Sequence, residues 1–250
     1  MRDRVISLVL LVALLAFWEF GIGEKLGLLP SPSQIVRAVI SDIETGAIWP
    51  HLWVTVCEIV VGFLIAVAVG IGFGALIALV PSLERILYPY ILVIQIVPKV
   101  AVAPLIIIWL GYGLSSIASI VALVAFFPIL VNVIAGMKAA DAKQIMLMRS
   151  LGAGRWQIFC KVRLWNAVPY LFAGLDVAII FAVIGAIVGE FIGAPSGLGS
   201  LIVQRQYSMN VPGVFSAIVF LTITGFALHW LVKLAARRAA FWAPSDQLQH

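Results

Sequence analysis

The sequence predicts an all-α, polytopic membrane protein with about six transmembrane helices, one interfacial amphipathic helix and one long polar cytoplasmic loop. Three observations carry that prediction. Of 250 residues, 63% are hydrophobic and 11% charged, whereas a soluble domain carries about a quarter charged residues. The mean hydropathy is +1.15. The apolar residues gather in runs about as long as the ~20 that cross a bilayer, and the charges fall between the runs. Disorder, a coiled coil and a water-soluble enzyme are excluded, and a single membrane domain, 1–250, is expected.

Met1-Arg2-Asp3-Arg4 leads into an apolar run, and no small-x-small cleavage site follows in Glu19-Phe20-Gly21-Ile22-Gly23-Glu24. A retained first helix over 5–22 is therefore expected. Ser31-Pro32 then supplies an N-cap and an N1 proline. Behind it Ile35, Val36, Val39, Ile40 and Ile43 recur at helical spacing opposite Arg37, Asp42 and Glu44, so a short amphipathic helix over 31–46 should lie in the interface.

No charge occurs between Glu58 and Glu84, which sets the second crossing at 54–80. Gly62, Ala66, Gly70, Gly74 and Ala78 repeat every four residues along it, a stripe on which another helix can pack closely. The stretch between Lys99 and Lys138 is also free of charge and too long for one crossing. Gly111-Tyr112-Gly113 supplies the break, giving a third crossing at 86–110 and a fourth at 116–136. The polar segment 138–165 cannot span. A fifth crossing is expected at 170–192 and a sixth at 214–232.

Threading these with both termini in the cytoplasm puts Lys25, Arg37 and Arg205 outside and Lys99 inside a crossing, and leaves every other lysine and arginine on the cytoplasmic side. That is the positive-inside pattern. It explains the net charge of +5 without a nucleic-acid partner. Cys57 and Cys160 sit in a crossing and in the polar loop, and His51, His229 and His250 are dispersed, so neither a disulfide framework nor a metal site is expected.

The loop 138–165 reads as two short helices. Ala140 to Leu151 is helix-compatible, Gly152-Ala153-Gly154 interrupts it, and Arg155 to Val162 resumes. Glycine at 152 or 154 suits a left-handed C-cap, making a helix-turn-helix. As a bare hairpin it would merely connect two crossings. The spacing resembles the signature of the permease subunits of bacterial ATP-binding cassette importers: Glu-Ala-Ala, three residues, Gly, nine residues, then Ile-x-Leu-Pro. Here the glycine is Gly152, Val162 and Leu164 hold the Ile and Leu positions, Met146-Leu147-Met148 stand at Glu-Ala-Ala, and Trp165 stands at Pro.

The run Arg149-Ser150-Leu151-Gly152-Ala153-Gly154-Arg155-Trp156 resembles the subfamily for nitrate, taurine and alkanesulfonates. So do Pro30-Ser31-Pro32, Pro98-Lys99-Val100-Ala101-Val102-Ala103-Pro104-Leu105, Val188-Gly189-Glu190-Phe191 and Gly197-Leu198-Gly199. The resemblance implies a subunit of the bacterial inner membrane, working as a homodimer by alternating access. Its loop would be a coupling helix, Met146 to Arg155, seated on one of two ATPase subunits, with a solute-binding protein delivering substrate outside. The chain has no Gly-x-x-x-x-Gly-Lys-[Ser/Thr], so ATP and Mg belong to the ATPase and no cofactor to this chain.

Within the third crossing Pro98 and Pro104 should free the carbonyls of Ile94 and Val100 and interrupt the helix. Such breaks are tolerated at membrane depth only against protein or a watery cavity, which places the translocation path here, beside Gln95, Pro98, Lys99 and Pro104. Lys99 is either a pathway or paired cation or a lysine snorkelling to the interface. Glu190, counted with the pathway residues, is either a gate or docking contact, or an interfacial charge or a cap for the following turn. A secondary transporter or channel is disfavoured because no inverted second copy of these features is found. A membrane enzyme is disfavoured because no catalytic constellation stands out.

Overall fold

The structure, a computed structural model, describes residues 16–22 and 29–242, with residues 6, 10, 13 and 14. Of the first crossing expected at 5–22, residues 5, 7–9, 11, 12 and 15 lie outside the described residues, and residues 6, 10, 13, 14, 16 and 17 are helical. What is described at its end is a π-helical turn, Trp18–Ile22.

Helix α1, Pro32–Glu44, opens on a complete capping box. The Gln34 amide N–H donates to Ser31 Oγ, and the Ser31 N–H donates to Gln34 Oε1 at 3.2 Å. Val36, Ile40 and Ile43 are exposed, as an interfacial face requires, but Asp42 is not on a solvated face: it is buried. A helical wheel defines faces without saying which one meets protein, and here Asp42 points at the bundle.

Helix α2, Ile48–Leu79, starts ahead of the expected 54–80. Pro50 falls in its first turn, where the backbone N–H groups have no helical partner anyway, so no bond is lost. Helix α3, Pro81–Ile96, is followed by a 3-10 turn, Lys99–Val102, and helix α4, Ala103–Leu110. The two halves meet at 81°. The break falls at Val97, held extended by the proline that follows it. Pro104, in the first turn of α4, breaks nothing. The carbonyls of Ile94 and Val100 are not free either, since each accepts an N–H three residues on, from Val97 and Ala103. Tightening to 3-10 geometry has absorbed them.

Gly111 and Gly113, both at positive φ, turn the chain into α5, Leu114–Lys138. Helix α6, Ala142–Ser150, leads to α7, Arg155–Phe191, which runs on through Pro169 where a fresh start near Tyr170 was expected. Its ladder is interrupted at a π-helical turn, Phe159–Arg163, and at Pro169, which has no N–H to donate. The sequence reading missed α8, Leu198–Tyr207, a short helix ahead of the final α9, Val211–Ala239. Among the described residues, four helices are long and apolar enough to cross a membrane, or five spans if the bent pair α3 and α4 is one.

Helix α5 is the hub, with α2 and α7 packed along it. The stripe on α2 is what admits α5: Gly62, Ala66, Gly70, Gly74 and Ala78 are all buried. A Cβ on Gly62 would lie 2.5 Å from Val121 Cβ and 2.6 Å from the Ala118 carbonyl oxygen. One on Gly74 would lie 2.7 Å from Val133, whereas Gly72 faces open space. Gly62→Ala should therefore cost about 2–3 kcal/mol, the upper part of the overpacking range, because a backbone carbonyl cannot yield. Gly72→Ala should be nearly silent. Thermal unfolding of the two purified variants in detergent checks the pair, and equal midpoints would contradict this packing.

Two ends of the bundle differ in chemistry. At one, Lys138 bridges Glu84 at 2.5 Å, Arg163 donates to the Ala78 carbonyl, and Trp165 and Trp242 pack edge to face. The α6 hairpin projects from this basic end. At the other, α1, α8 and the starts of α2 and α9 are tied together by buried polar groups, chiefly Asp42 with Arg205 and Glu190 with Thr55.

Candidate functional site: a docking hairpin and a membrane-depth cavity

The hairpin at the basic end is shaped by its own backbone. Asp141 caps α6 by accepting the Lys143 N–H at 2.8 Å. At the other end Gly152 sits at φ +78, its N–H donating to the Arg149 carbonyl while the Ala153 N–H donates to Met148. This is a complete Schellman cap, and it requires the left-handed region at Gly152. Gly154 then opens α7, with its N–H donating to Gln157 Oε1 at 3.0 Å. The turn presents rather than hides its apolar groups: Met146, Leu147, Leu151 and Trp156 are each more than 60% exposed. Arg149, Ser150, Gly152, Gly154 and Arg155 are exposed with them, and Met148 and Ala153 are half-buried. An exposed apolar cluster on a capped helix has the character of a surface that a partner could cover.

A second feature lies at the break in the bent span. A cavity of about 350 Å3 opens between α3, α5 and α7, with Gln95, Lys99, Phe127, Asn132 and Phe181 among its lining. Lys99 Nζ donates to the Gln95 carbonyl at 2.9 Å, taking up an acceptor that the broken helix leaves free, and stands 4.8 Å from the Phe127 ring centroid. The Asn132 amide donates to the Pro128 carbonyl at 2.8 Å. Thus the structure brings Gln95 and Lys99 together, with Pro98 forming the break beside them. It places Pro104 and Glu190 elsewhere.

Glu190 is 1% exposed, at the far end of α7. Thr55 Oγ donates to its Oε1 at 2.6 Å, and the Gly199 N–H donates to its Oε2 at 2.5 Å. Thr55 in turn accepts the Leu198 N–H at 2.7 Å, and His51 Nδ1 pairs with Gly197. A Cβ on Gly197 would fall 2.3 Å from the Glu190 carboxyl carbon, so that glycine is required by close approach. Glu190 thus fastens the start of α8 to α2. Glu58, one turn along α2 from Thr55, is likewise buried. Sequence reasoning picked out Glu190 as a charge at the outer end of a crossing, but it missed Thr55 and Arg205, whose partners lie far off in the chain.

Membrane-length helices around a central hub, a bent span with a cation-lined cavity and a docking hairpin at the basic end define the membrane-spanning subunit of a transport complex. Comparisons with known proteins agree. Residues 70–241 match the family described as the binding-protein-dependent transport system inner membrane component. The riboflavin transport system permease RibX of Chloroflexus aurantiacus is 34% identical over 95% of this chain and 90% of its own. The putative aliphatic sulfonates transport permease SsuC of Bacillus subtilis is 30% identical over 96% of this chain and 88% of its own. Among solved structures, a chain of the methionine ABC transporter MetNI, in an inward-facing conformation, superposes with a TM-score of 0.66 at 22% identity, covering 76% of this chain and 94% of that one.

The chain belongs to the family of inner membrane components of binding-protein-dependent transport systems. It is a multi-pass permease subunit of an ATP-binding cassette importer and not itself an enzyme; ATP hydrolysis resides on a partner subunit. The subfamily resemblance read from the Gly152 run is matched by the sulfonate permease.

Proposed function

We propose that this chain forms half of a homodimeric pathway that carries a small organic or anionic solute into the cytoplasm by alternating access. Two ATPase subunits hold the hairpins of the two copies, through Met146 to Arg155, and a solute-binding protein delivers substrate on the opposite face. The basic end is then cytoplasmic, with both termini on that side. ATP and Mg bind the ATPases. The path runs beside Gln95, Pro98 and Lys99, while Glu190 holds the outer end of α7 in place. Relatives transport riboflavin and aliphatic sulfonates, which fits an organic solute.

The observation that carries this reading is the capped, exposed hairpin around Gly152, whose apolar side chains have no cover among the described residues. A solitary channel or secondary transporter has no use for such a surface. Reconstitution tests it: proteoliposomes holding the permease, its co-encoded ATPase and its binding protein should take up solute only with ATP. Omitting the ATPase should abolish uptake, and undiminished transport by the permease alone would overturn the proposal.

A further inference from the structure

The cavity at Lys99 points further, to the chemistry of what passes through it. Building on the importer reading above, we propose that this cavity is a binding site for a small organic anion with an aromatic or similarly flat apolar body. Lys99 is the one charged group in its lining. Among the described residues, the ion pairs are Lys138 with Glu84, Arg205 with Asp42 and His229 with Asp176, so no carboxylate lies within pairing distance of Lys99. Its neighbours are a carbonyl and a ring, the Gln95 oxygen and the Phe127 face. Both are neutral and hold the ammonium in place without cancelling its charge. Lys99 is half-buried, and its ammonium rests against the cavity wall, at the Gln95 carbonyl and the Phe127 ring.

An ammonium has three donors, and the Gln95 carbonyl takes one. Two remain for an oxyanion. Beside them stands the Gln95 side-chain amide, which has no partner among the described residues, and the Asn132 amide lines the same space. The other walls are apolar: Phe127, Phe181, Val124 and Val177. Inorganic anions gain nothing from such walls, whereas an organic body gains by burial and a flat ring by aromatic contact. A volume of about 350 Å3 sits at the small end of ligand sites, the size for roughly one ring and its acidic group.

Charged thiol reagents test this without knowing the solute. In the assembled complex, with Cys57 and Cys160 replaced by alanine, Val177→Cys places a reporter thiol in the lining. After normalising to a free thiol, the anionic sulfonatoethyl methanethiosulfonate should react roughly tenfold faster than its trimethylammonium analogue, the effect of one nearby cation at intermediate dielectric. Adding Lys99→Gln should abolish the preference and Lys99→Arg should restore it. Toluenesulfonate should protect the thiol at lower concentration than methanesulfonate, and Phe181→Leu should narrow that gap.

A rate ratio unmoved by Lys99→Gln, or no protection by toluenesulfonate, overturns the anion site. Equal protection by the two sulfonates overturns its aromatic part. ATPase co-purification from the same membranes separates the two proposals. Associated ATPase with no anion preference fails the site alone, and anion preference without any ATPase fails the importer reading alone.

Discussion

Gly152→Asp abolishes co-purification of the ATPase and ATP-driven uptake while the permease still inserts and folds. The contrast follows from what surrounds the glycine. A Cβ there meets nothing within 4 Å in this chain, so the side chain costs the permease only the strain of holding φ +78. That strain is about 1–2 kcal/mol for an ordinary residue and less for aspartate, which tolerates the left-handed region. The same open space is where a partner surface must close over Leu151 and Trp156. A carboxylate inserted there is desolvated without a counter-charge, a cost of several kcal/mol and hence a loss of binding beyond a hundredfold. Gly152→Asn, equal in shape and neutral, should retain more association than Gly152→Asp. Equal, undiminished association of both variants would remove Gly152 from the docking surface.

The second large effect is expected at Asp42. Its carboxylate receives both Nη atoms of Arg205, at 2.8 and 2.5 Å, and the Ser216 hydroxyl at 2.5 Å, while Arg205 Nη1 also donates to the Gly213 carbonyl at 2.7 Å. Both side chains are nearly buried, at 13% and 10% exposure. Asp42→Ala leaves a guanidinium shielded from water with one carbonyl for company, a loss of about 3–5 kcal/mol. Removing both charges is gentler, because a buried pair repays little more than its own desolvation. Asp42→Leu combined with Arg205→Met should therefore unfold at a higher temperature than Asp42→Ala alone in detergent. A double variant no more stable than the single one would mean that the ion pair itself, not the orphaned charge, supplies the stability.

These two sites differ in how far the sequence discloses them. The Gly152 corner is legible because its determinants are local: a left-handed cap needs glycine, and the residues that bond across it lie within five positions. The α2 stripe is legible for the same reason, since a four-residue period of small side chains states its own purpose. The break at Pro98 follows from one residue's covalent geometry. Asp42 is different. Its partner Arg205 is 163 residues away, and nothing local to either tells that they meet. Glu190 stands out in the sequence but its role does not, since a single carboxylate at the end of a crossing fits a cap or a gate equally well and its partner Thr55 is 135 residues away. Helix α8 escaped notice because it is ten residues long and its buried side, Leu198 to Ile202, includes Gly199 and Ser200, which read as a turn.

Helix α7 joins the two ends of the molecule directly. It starts at Arg155, immediately after the docking turn, and ends at Phe191, one residue beyond the Glu190 clasp. A continuous helix of 37 residues is a rod of about 55 Å. Pivoted at its middle, where it lies against α5, a tilt of about 10° would carry each tip roughly 5 Å in opposite directions. In the proposed importer the rod would act as a lever, carrying a push on the hairpin to the far face with no intervening loop. Its soft points, the π-helical turn at Phe159–Arg163 and Pro169, both lie between the hairpin and the middle of the rod.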